Sequence, residues 1–325
     1  MAVELNLWEM SGAFEEVSGI PHLSWETVAK WIDANCHGPE RQAEGWYEAQ
    51  VQWVGKLREV LGAPHEFYEA SRILFLSALP GKKAERFLVF AEKALDRIGE
   101  TLKPLTEVNR PERIVLVDIA TTELFHRYLT RYFPKPEELP QVAHYLPQGL
   151  GHLAVGPGDA GDRESALTHR MALLSLSHLP LPAWAAEGLA LRAQAALASS
   201  GGVGRFLGLG GTGAAAGGAG EAVADLAEFW KETGLEIFWK GLAFRPDNPD
   251  LAAARALADF LVTTLLKHDR DQAAEFFSQA HASDAGEAAA QAVLGVSMAE
   301  LVEPVLGEGD WGPGNPGPNA TELRD

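Results

Sequence analysis

Two neighbouring stretches decide how this chain is interpreted: Ser165-Ala166-Leu167-Thr168-His169, and Leu181-Pro182-Ala183-Trp184-Ala185-Ala186-Glu187-Gly188-Leu189-Ala190. Both are predicted to be helical. Residues four apart lie on one face of a helix, so Ser165 and His169 share a face of the first one. The second helix carries Glu187. The two helices are therefore laid out as if to hold a metal ion between His169 and Glu187.

The residue types at these positions are the remainder of a zinc-binding motif. A zinc protease uses the same spacing for two histidines, with a glutamate after the first as general base. A third ligand comes from elsewhere, and an open fourth position holds the water. In this chain Ser165 stands where the first histidine would be, and Ala166 stands where the general base would be. His169 and Glu187 are the ligand positions that remain.

The two stretches resemble the gluzincin-type metallopeptidases, in particular the bacterial peptidase MA-like group. Members of that group typically have the motif HELTH and then LPxWxxEGLA, with the last glutamate as third ligand. The second motif is kept, and in it Trp184 and Gly188 would support the cleft. The resemblance covers residues 65–307. It is broken again at the start of a helix near Leu251, where members tend to carry a tyrosine and this chain has alanines.

The resemblance implies an α+β, mostly helical fold. A small mixed sheet would carry an edge strand over the helix with His169, and a C-terminal helical subdomain would follow. Apolar runs at 71–79 and 113–120 predict buried strands, and 144–155 predicts two short ones. In active relatives the edge strand pairs with an extended substrate. The resemblance places that peptide-binding edge strand at Gly151, His152, Leu153, Ala154 and Val155.

The domain organisation follows from changes in composition along the chain. Ten of the twenty residues 201–220 are glycine. No Lys-Ser/Thr pair follows them, so we interpret this stretch as a flexible loop rather than a phosphate-binding loop. The sequence predicts five segments: a helical extension (1–64), the gluzincin-like α/β domain (65–200), a Gly/Ala-rich flexible loop (201–221), a C-terminal helical subdomain (222–307) and a disordered tail (308–325).

Charge and cysteine content exclude several classes of protein. The formal net charge of −18 opposes binding to nucleic acid or to an anionic membrane. The single cysteine, Cys36, rules out an internal disulfide and any cysteine-rich zinc or iron–sulfur site. No signal-peptide pattern and no long apolar run occur. The sequence predicts a cytoplasmic protein with a protein or peptide partner and no cofactor.

The losses at Ser165 and Ala166 favour an inactive protein. Loss of a general base alone typically lowers a rate by about 10²–10⁴-fold. The first hypothesis is therefore a catalytically inactive metallopeptidase-like scaffold or regulator that binds a peptide or protein. The alternative is an active zinc hydrolase in which His152 or His178 joins His169 and Glu187. A serine nucleophile at 165 with His169 as base lacks an orienting acid and an oxyanion donor.

Two further interpretations stay open at the level of sequence. The motif could instead start at His169 and run to Leu173, a register that also lacks the base and one ligand. The chain could also be a helical assembly protein with only chance similarity to peptidases. That last interpretation would be supported by a fold that has no sheet beneath the helix carrying His169.

Overall fold

The computed structural model of the chain describes residues 5–106, 113–139, 142–149, 151–199 and 219–314, with the backbone alone at 199 and 219–225. The predicted flexible loop, apart from its last residues, and positions 315–325 of the predicted tail lie outside the described residues. The chain divides into two compact units. The described residues of Met1–Asp96 and Val108–Leu174 form the first, and those of Arg97–Glu107 and Ser175–Asp325 form the second.

Strands and helices alternate in the first unit, and the second is helical. The described strands, all in the first unit, are β1 (Phe14–Val17), β2 (Ile20–Leu23), β3 (Glu66–Glu69), β4 (Ile73–Ser77), β5 (Ile114–Asp118), β6 (Ala143–Leu146) and β7 (His152–Val155). The helices that begin in this unit are α1 (Trp25–Asn35), α2 (Pro39–Leu61), α3 (Gly81–Leu102), α4 (Thr122–Leu129) and α5 (Ala160–Leu176). The second unit contains α6 (Ala183–Ser199), α7 (Ala219–Thr233), α8 (Glu236–Trp239), α9 (Leu251–His268), α10 (Arg270–Gln279), α11 (Glu287–Ala289) and α12 (Met298–Leu306).

A five-stranded mixed sheet organises the first unit, in the order β3-β4-β5-β7-β6. The three central strands β4, β5 and β7 run parallel, and the edge strands β3 and β6 are antiparallel to their neighbours. The central strands are almost wholly buried, as expected for parallel strands covered on both faces. The predicted α+β, mostly helical architecture, with a small mixed sheet followed by a helical region, is confirmed.

Each face of the sheet is covered by its own set of elements. Leu74, Val115 and Ala154 belong to one hydrophobic cluster with residues of the β1–β2 hairpin, α1, α2 and α4. On the opposite face, the ring of Phe75 lies 5.8 Å from that of Phe87 in α3. Helix α5 packs on this second face too. A sheet thus lies beneath the helix that carries His169, so the fold is not the sheetless one that would have supported a helical assembly protein with chance similarity to peptidases.

The N-terminal segment differs from the prediction of helices alone. Strands β1 and β2 form a hairpin in which Val17 is paired with Ile20. The two turn residues Ser18 and Gly19 both have positive φ, 54° and 74°, as the commonest two-residue hairpin turns require. Helix α2 packs on the main sheet, and the Gln50 amide donates to the Arg113 carbonyl at 2.7 Å. The segment is thus part of the first unit rather than an extension of it.

The second unit has an aromatic core in which Trp184, Trp230 and Phe276 are fully buried. Part of the predicted disordered tail belongs to this core. Trp311 is buried, and its carbonyl accepts a hydrogen bond of 2.7 Å from the Trp239 indole. The high glycine and proline content of the tail led to the prediction of disorder. A single buried tryptophan is nevertheless enough to hold a short segment against a core.

None of the described helices is by itself long and apolar enough to cross a membrane. One bent pair, Glu287–Leu294 with Met298–Leu306, meets the length and composition requirement only when its two parts are combined, and they meet at 89°.

Candidate functional site

Helix α5 carries the remnant of the zinc motif. Its fourth residue, Arg163, is held to the sheet by an ion pair with the carboxylate of Asp118 at the end of β5, and both side chains are buried. Asp118 also accepts hydrogen bonds from the Ser77 hydroxyl at 2.7 Å and the Ala78 amide at 3.1 Å. A buried ion pair whose carboxylate also accepts hydrogen bonds from its neighbours fixes the orientation of the two side chains more than it adds to stability. The register of α5 on the sheet is therefore set by Arg163.

The motif positions on α5 differ in exposure. His169 is buried, whereas Ser165 and Ala166 are half-buried. The neighbouring Thr168 hydroxyl donates back to the Glu164 carbonyl at 2.8 Å, so it serves its own helix. The face that would present a histidine and a glutamate to a metal thus presents a hydroxymethyl and a methyl group.

Glu187 of α6 is held by an arginine. Its Oε2 accepts a hydrogen bond of 3.1 Å from the Nε of Arg255 on α9. The side chain of Glu187 is 9% exposed and that of Arg255 is 29% exposed, so the pair is largely shielded from water. A guanidinium is always charged and donates only. The carboxylate that the resemblance assigns as third metal ligand therefore already has a permanent cation beside it.

The other residues of the second motif pack helices together. The Trp184 indole donates to the Ala285 carbonyl at 3.0 Å, and its ring stacks on Phe276. A Cβ atom added at Gly188 would lie 2.5 Å from the Ala258 carbonyl oxygen, so α6 and α9 approach closely at this point. Trp184 and Gly188, predicted to support a cleft, are core and helix-contact residues of the second unit.

The strand at His152–Val155, predicted as a peptide-binding edge with Gly151, is not an edge. It pairs in parallel with β5 on one side and antiparallel with β6 on the other. Leu153, Ala154 and Val155 are fully buried. The prediction was wrong because β6 precedes β7 in sequence but lies outside it in the sheet. The edge on this side of the sheet is β6.

His152 and His178 do not complete a metal site. His152 shares its sheet face with Ala154 and points to the side opposite α5. Its Nε2 is hydrogen-bonded to the Tyr128 hydroxyl at 2.7 Å, and its ring lies edge-on to Trp53. His178 lies exposed in the turn after α5. Across the described residues, no group of three or more His, Cys, Asp or Glu side chains has the geometry to hold a metal ion.

A catalytic zinc ion needs three protein ligands and an open position. Of the four predicted ligands, Glu187 is paired with Arg255, and within the first unit His152 lies on the opposite sheet face from the helix that carries His169. His152 and His169 therefore cannot bind the same ion.

A buried polar network beneath the other sheet face was missed by sequence reasoning. The Nδ1 of His22 is hydrogen-bonded to the Tyr132 hydroxyl at 3.0 Å, and the Tyr132 ring lies 5.5 Å from His152. Burial lowers the pKa of His152 to about 3, with His22 as a smaller cause. Burial, then Arg131, lowers the pKa of His22 to about 4. Both rings are neutral at pH 7 and serve as core side chains.

Glu164, one residue before Ser165, was also missed. Burial raises the pKa of its carboxyl group, against the opposing effect of Arg163. Its Oε2 is buried and has no hydrogen-bond partner among the side chains and backbone that the structure describes. The sequence did not mark Glu164 as a candidate site residue, because a glutamate in the first turns of a helix is common.

The chain matches no protein-family model, no curated protein and no solved structure. The geometry of its own residues is thus the basis for a functional proposal.

Proposed function

We propose that this chain is a catalytically inactive, metallopeptidase-like protein that binds a peptide or protein partner without cutting it. The observation that carries the proposal is the ion pair between Glu187 and Arg255. It supplies the positive charge that a metal ion would supply in an active relative. A metal ion bound by Glu187 would stand beside the permanent positive charge of Arg255, and this repulsion opposes its binding.

The residues on α5 support the same conclusion. Hydrolysis by such a site requires a group that takes a proton from water, and Ala166 has none. Ser165 is a neutral hydroxyl, a poor replacement for an imidazole in binding zinc. A metal ion and a general base activate the same water molecule, so we expect restoring either one alone to restore little activity.

A partner is expected to add to β6. Because Val142 accepts from the Gly156 amide at 2.8 Å, the backbone groups of Ala143 and Tyr145 point away from β7. The Ala143 carbonyl is occupied by the Nε of Arg170 at 3.2 Å. The N–H and C=O of the half-buried Tyr145 can pair with an extended peptide, as in other cases of strand addition, whereas Ala143 is buried.

The chain's charge and its cysteine support the type of partner and the location that we propose. A net charge of −18 disfavours nucleic acid and anionic membranes and favours a neutral or basic polypeptide. Cys36 is a free thiol, which is usual for proteins of a reducing compartment. We place the protein in the cytoplasm.

The deciding experiment is elemental analysis for zinc on untagged protein purified without added metal, followed by a peptidase assay with added zinc. We expect a zinc content near zero and no cleavage. About one zinc per chain, or metal-dependent cleavage abolished in Glu187→Ala, would overturn the proposal in favour of an active zinc hydrolase with a non-standard ligand set.

A further inference from the structure

We propose that the opposite edge of the sheet, β3 together with the groove between β3 and α3, binds an extended peptide segment with basic residues flanking an apolar pair. This surface belongs to the first unit and is separated from β6 by the width of the sheet. It goes beyond the proposed function because it depends neither on the zinc motif nor on β6.

The free backbone groups of β3 provide the first requirement for strand addition. The Ala70 amide donates to the Ile73 carbonyl at 2.9 Å, which fixes the alternation along the strand. By that alternation Tyr68 bonds to β4, whereas the N–H and C=O of Phe67 and Glu69 point outward. Among the described residues no backbone partner meets these outward groups. An added strand would satisfy all four.

A groove runs alongside this edge and provides the second requirement. It has a volume of about 600 Å³. Its walls combine an apolar floor with acidic side chains, and the residues used here are Tyr68, Glu85, Leu88, Val89, Glu92 and Asp96. Val89, at 53% exposed, is one of the most exposed large apolar side chains described. Such a patch beside an open edge is typical of an interaction surface.

The dimensions of the groove match a short extended segment. Along α3 it spans the eleven steps from Glu85 to Asp96, about 16 Å at about 1.5 Å per residue. The other wall is formed by residues 68–72, the last two residues of β3 and the start of the turn after it, and four extended steps cover at most about 14 Å at about 3.4 Å per residue. Both walls thus fit about five residues of an added strand, whose alternate side chains would enter the groove.

The negative charges of β3 indicate which kind of peptide segment would bind there. Strand β3 reads Glu66-Phe67-Tyr68-Glu69 and so carries a carboxylate at each end. Like charges directly opposite each other are destabilising, whereas opposite charges there are favourable. A segment with Lys or Arg at its ends and apolar residues between them complements the strand.

Neighbouring arginine and lysine side chains reduce the preference of this surface for a basic peptide without reversing it. Arg58 pairs with Glu66 and Arg113 with Glu69, but these two carboxylates remain 58% and 39% exposed and can accept further hydrogen bonds. Arg72 is already bound by Glu92 and Asp96, and Lys93 also lines the groove. Glu85 has no ion-pair partner among the described side chains, so it is available to a basic side chain of the peptide.

The test uses the full-length chain and fluorescence anisotropy of a labelled probe, Thr-Lys-Val-Val-Lys-Thr, against its charge-reversed twin, Thr-Glu-Val-Val-Glu-Thr. We expect the basic probe to bind and the acidic probe not to bind. Glu69→Pro removes an outward N–H that β4 does not use and is expected to weaken binding about tenfold. The matched control Glu69→Gln keeps that N–H and is expected to weaken binding only about two- to fivefold.

A second variant keeps the test decisive if the proline disturbs folding. Val89→Lys adds a cation to the groove without touching the sheet, and about fivefold weaker binding is expected. Binding of both probes alike, or binding that Glu69→Pro and Val89→Lys leave unchanged in folded protein, would overturn the inference. Loss of binding in Tyr145→Pro but not in Glu69→Pro would place the peptide on β6, which sinks this inference and leaves the proposed function standing.

Discussion

The carboxylate of Glu187 and the guanidinium of Arg255 meet at 3.1 Å on two neighbouring helices of the second unit. The residue that the sequence motif marks as a metal ligand is thus neutralised by the protein itself. Because the pair is largely shielded, its two members depend on each other. Removing the arginine takes an ion pair from a carboxylate that is only 9% exposed, which is costly.

The first prediction concerns Arg255. Arg255→Met should lower the free energy of unfolding by about 2 kcal/mol, because the largely buried carboxylate of Glu187 loses its ion pair with the guanidinium. Equilibrium urea unfolding followed by circular dichroism measures this change. The double variant Arg255→Met/Glu187→Gln should recover part of the lost free energy of unfolding, since it removes the buried negative charge whose ion pair is gone.

Arg192→Met is the matched control for Arg255→Met. Arg192 also links α6 to α9, but it lies 3.9 Å from Asp259 and both side chains are more than a third exposed. Exposed pairs of this kind contribute about 0–1 kcal/mol. Equal losses in the two variants would show that Glu187 is stabilised by something other than its arginine.

The second prediction concerns the close approach of α6 and α9. Gly188→Ala should destabilise the protein by about 1–3 kcal/mol, because its Cβ would lie 2.5 Å from the Ala258 carbonyl oxygen and from the Val262 side chain. Thermal and urea unfolding measure the effect. Gly55→Ala in α2 is the control: nothing lies within 4 Å of its Cβ. It should stabilise α2 by about 0.5–1 kcal/mol.

Local signals in the sequence were enough to predict many elements. Helix α2 begins at Pro39 and ends before Gly62, whose φ is 65°, as the fixed φ of proline and the freedom of glycine dictate. The apolar run at β5 was recognised because a strand buried on both faces is apolar throughout. By contrast, β3 has only four residues, two of them glutamates, and only its pairing with β4 makes it a strand.

Features that depend on pairing between distant residues could not be predicted. The position of β7 inside the sheet depends on where β6 is inserted, which no local pattern encodes. The spacing of Ser165 and His169 gave their shared helix, but the partner of Glu187 lies 68 residues further along the chain. The sequence offers Asp259, four residues after Arg255 on α9, as a nearer counter-ion, so the pair with Glu187 was not indicated.

The third prediction concerns the anchor of α5. Asp118→Asn should lower the free energy of unfolding by about 3–5 kcal/mol, since Arg163 would remain buried without its counter-charge. Asp96→Asn is the comparison, because Asp96 also pairs with an arginine, Arg72, but its side chain is 65% exposed. Urea unfolding should show a loss below about 1 kcal/mol there. Similar effects in both variants would contradict the role assigned to Asp118.

The last prediction concerns acid stability and two of the buried histidines, His22 and His152. In the folded chain the pKa of His22 is lowered to about 4 and that of His152 to about 3, in both cases mainly by burial. An unfolded histidine has a pKa near 6.5, so between pH 6.5 and about 4 the unfolded state binds more protons. Stability is therefore fully present above pH 6.5 and is lost as the pH falls. Each histidine contributes a slope of up to about 1.4 kcal/mol per pH unit.

Urea unfolding at several pH values between 6.5 and 5 measures this slope above the range where most carboxylates titrate. His152→Phe keeps an aromatic ring beside Trp53 and should remove the part of the slope that His152 contributes, although it also removes the hydrogen bond between His152 and the Tyr128 hydroxyl. The slope, rather than the absolute stability, is the decisive quantity, because the lost hydrogen bond is independent of pH in this range. A slope identical to that of the wild-type chain would mean that His152 is protonated in the folded state and that burial does not keep it neutral.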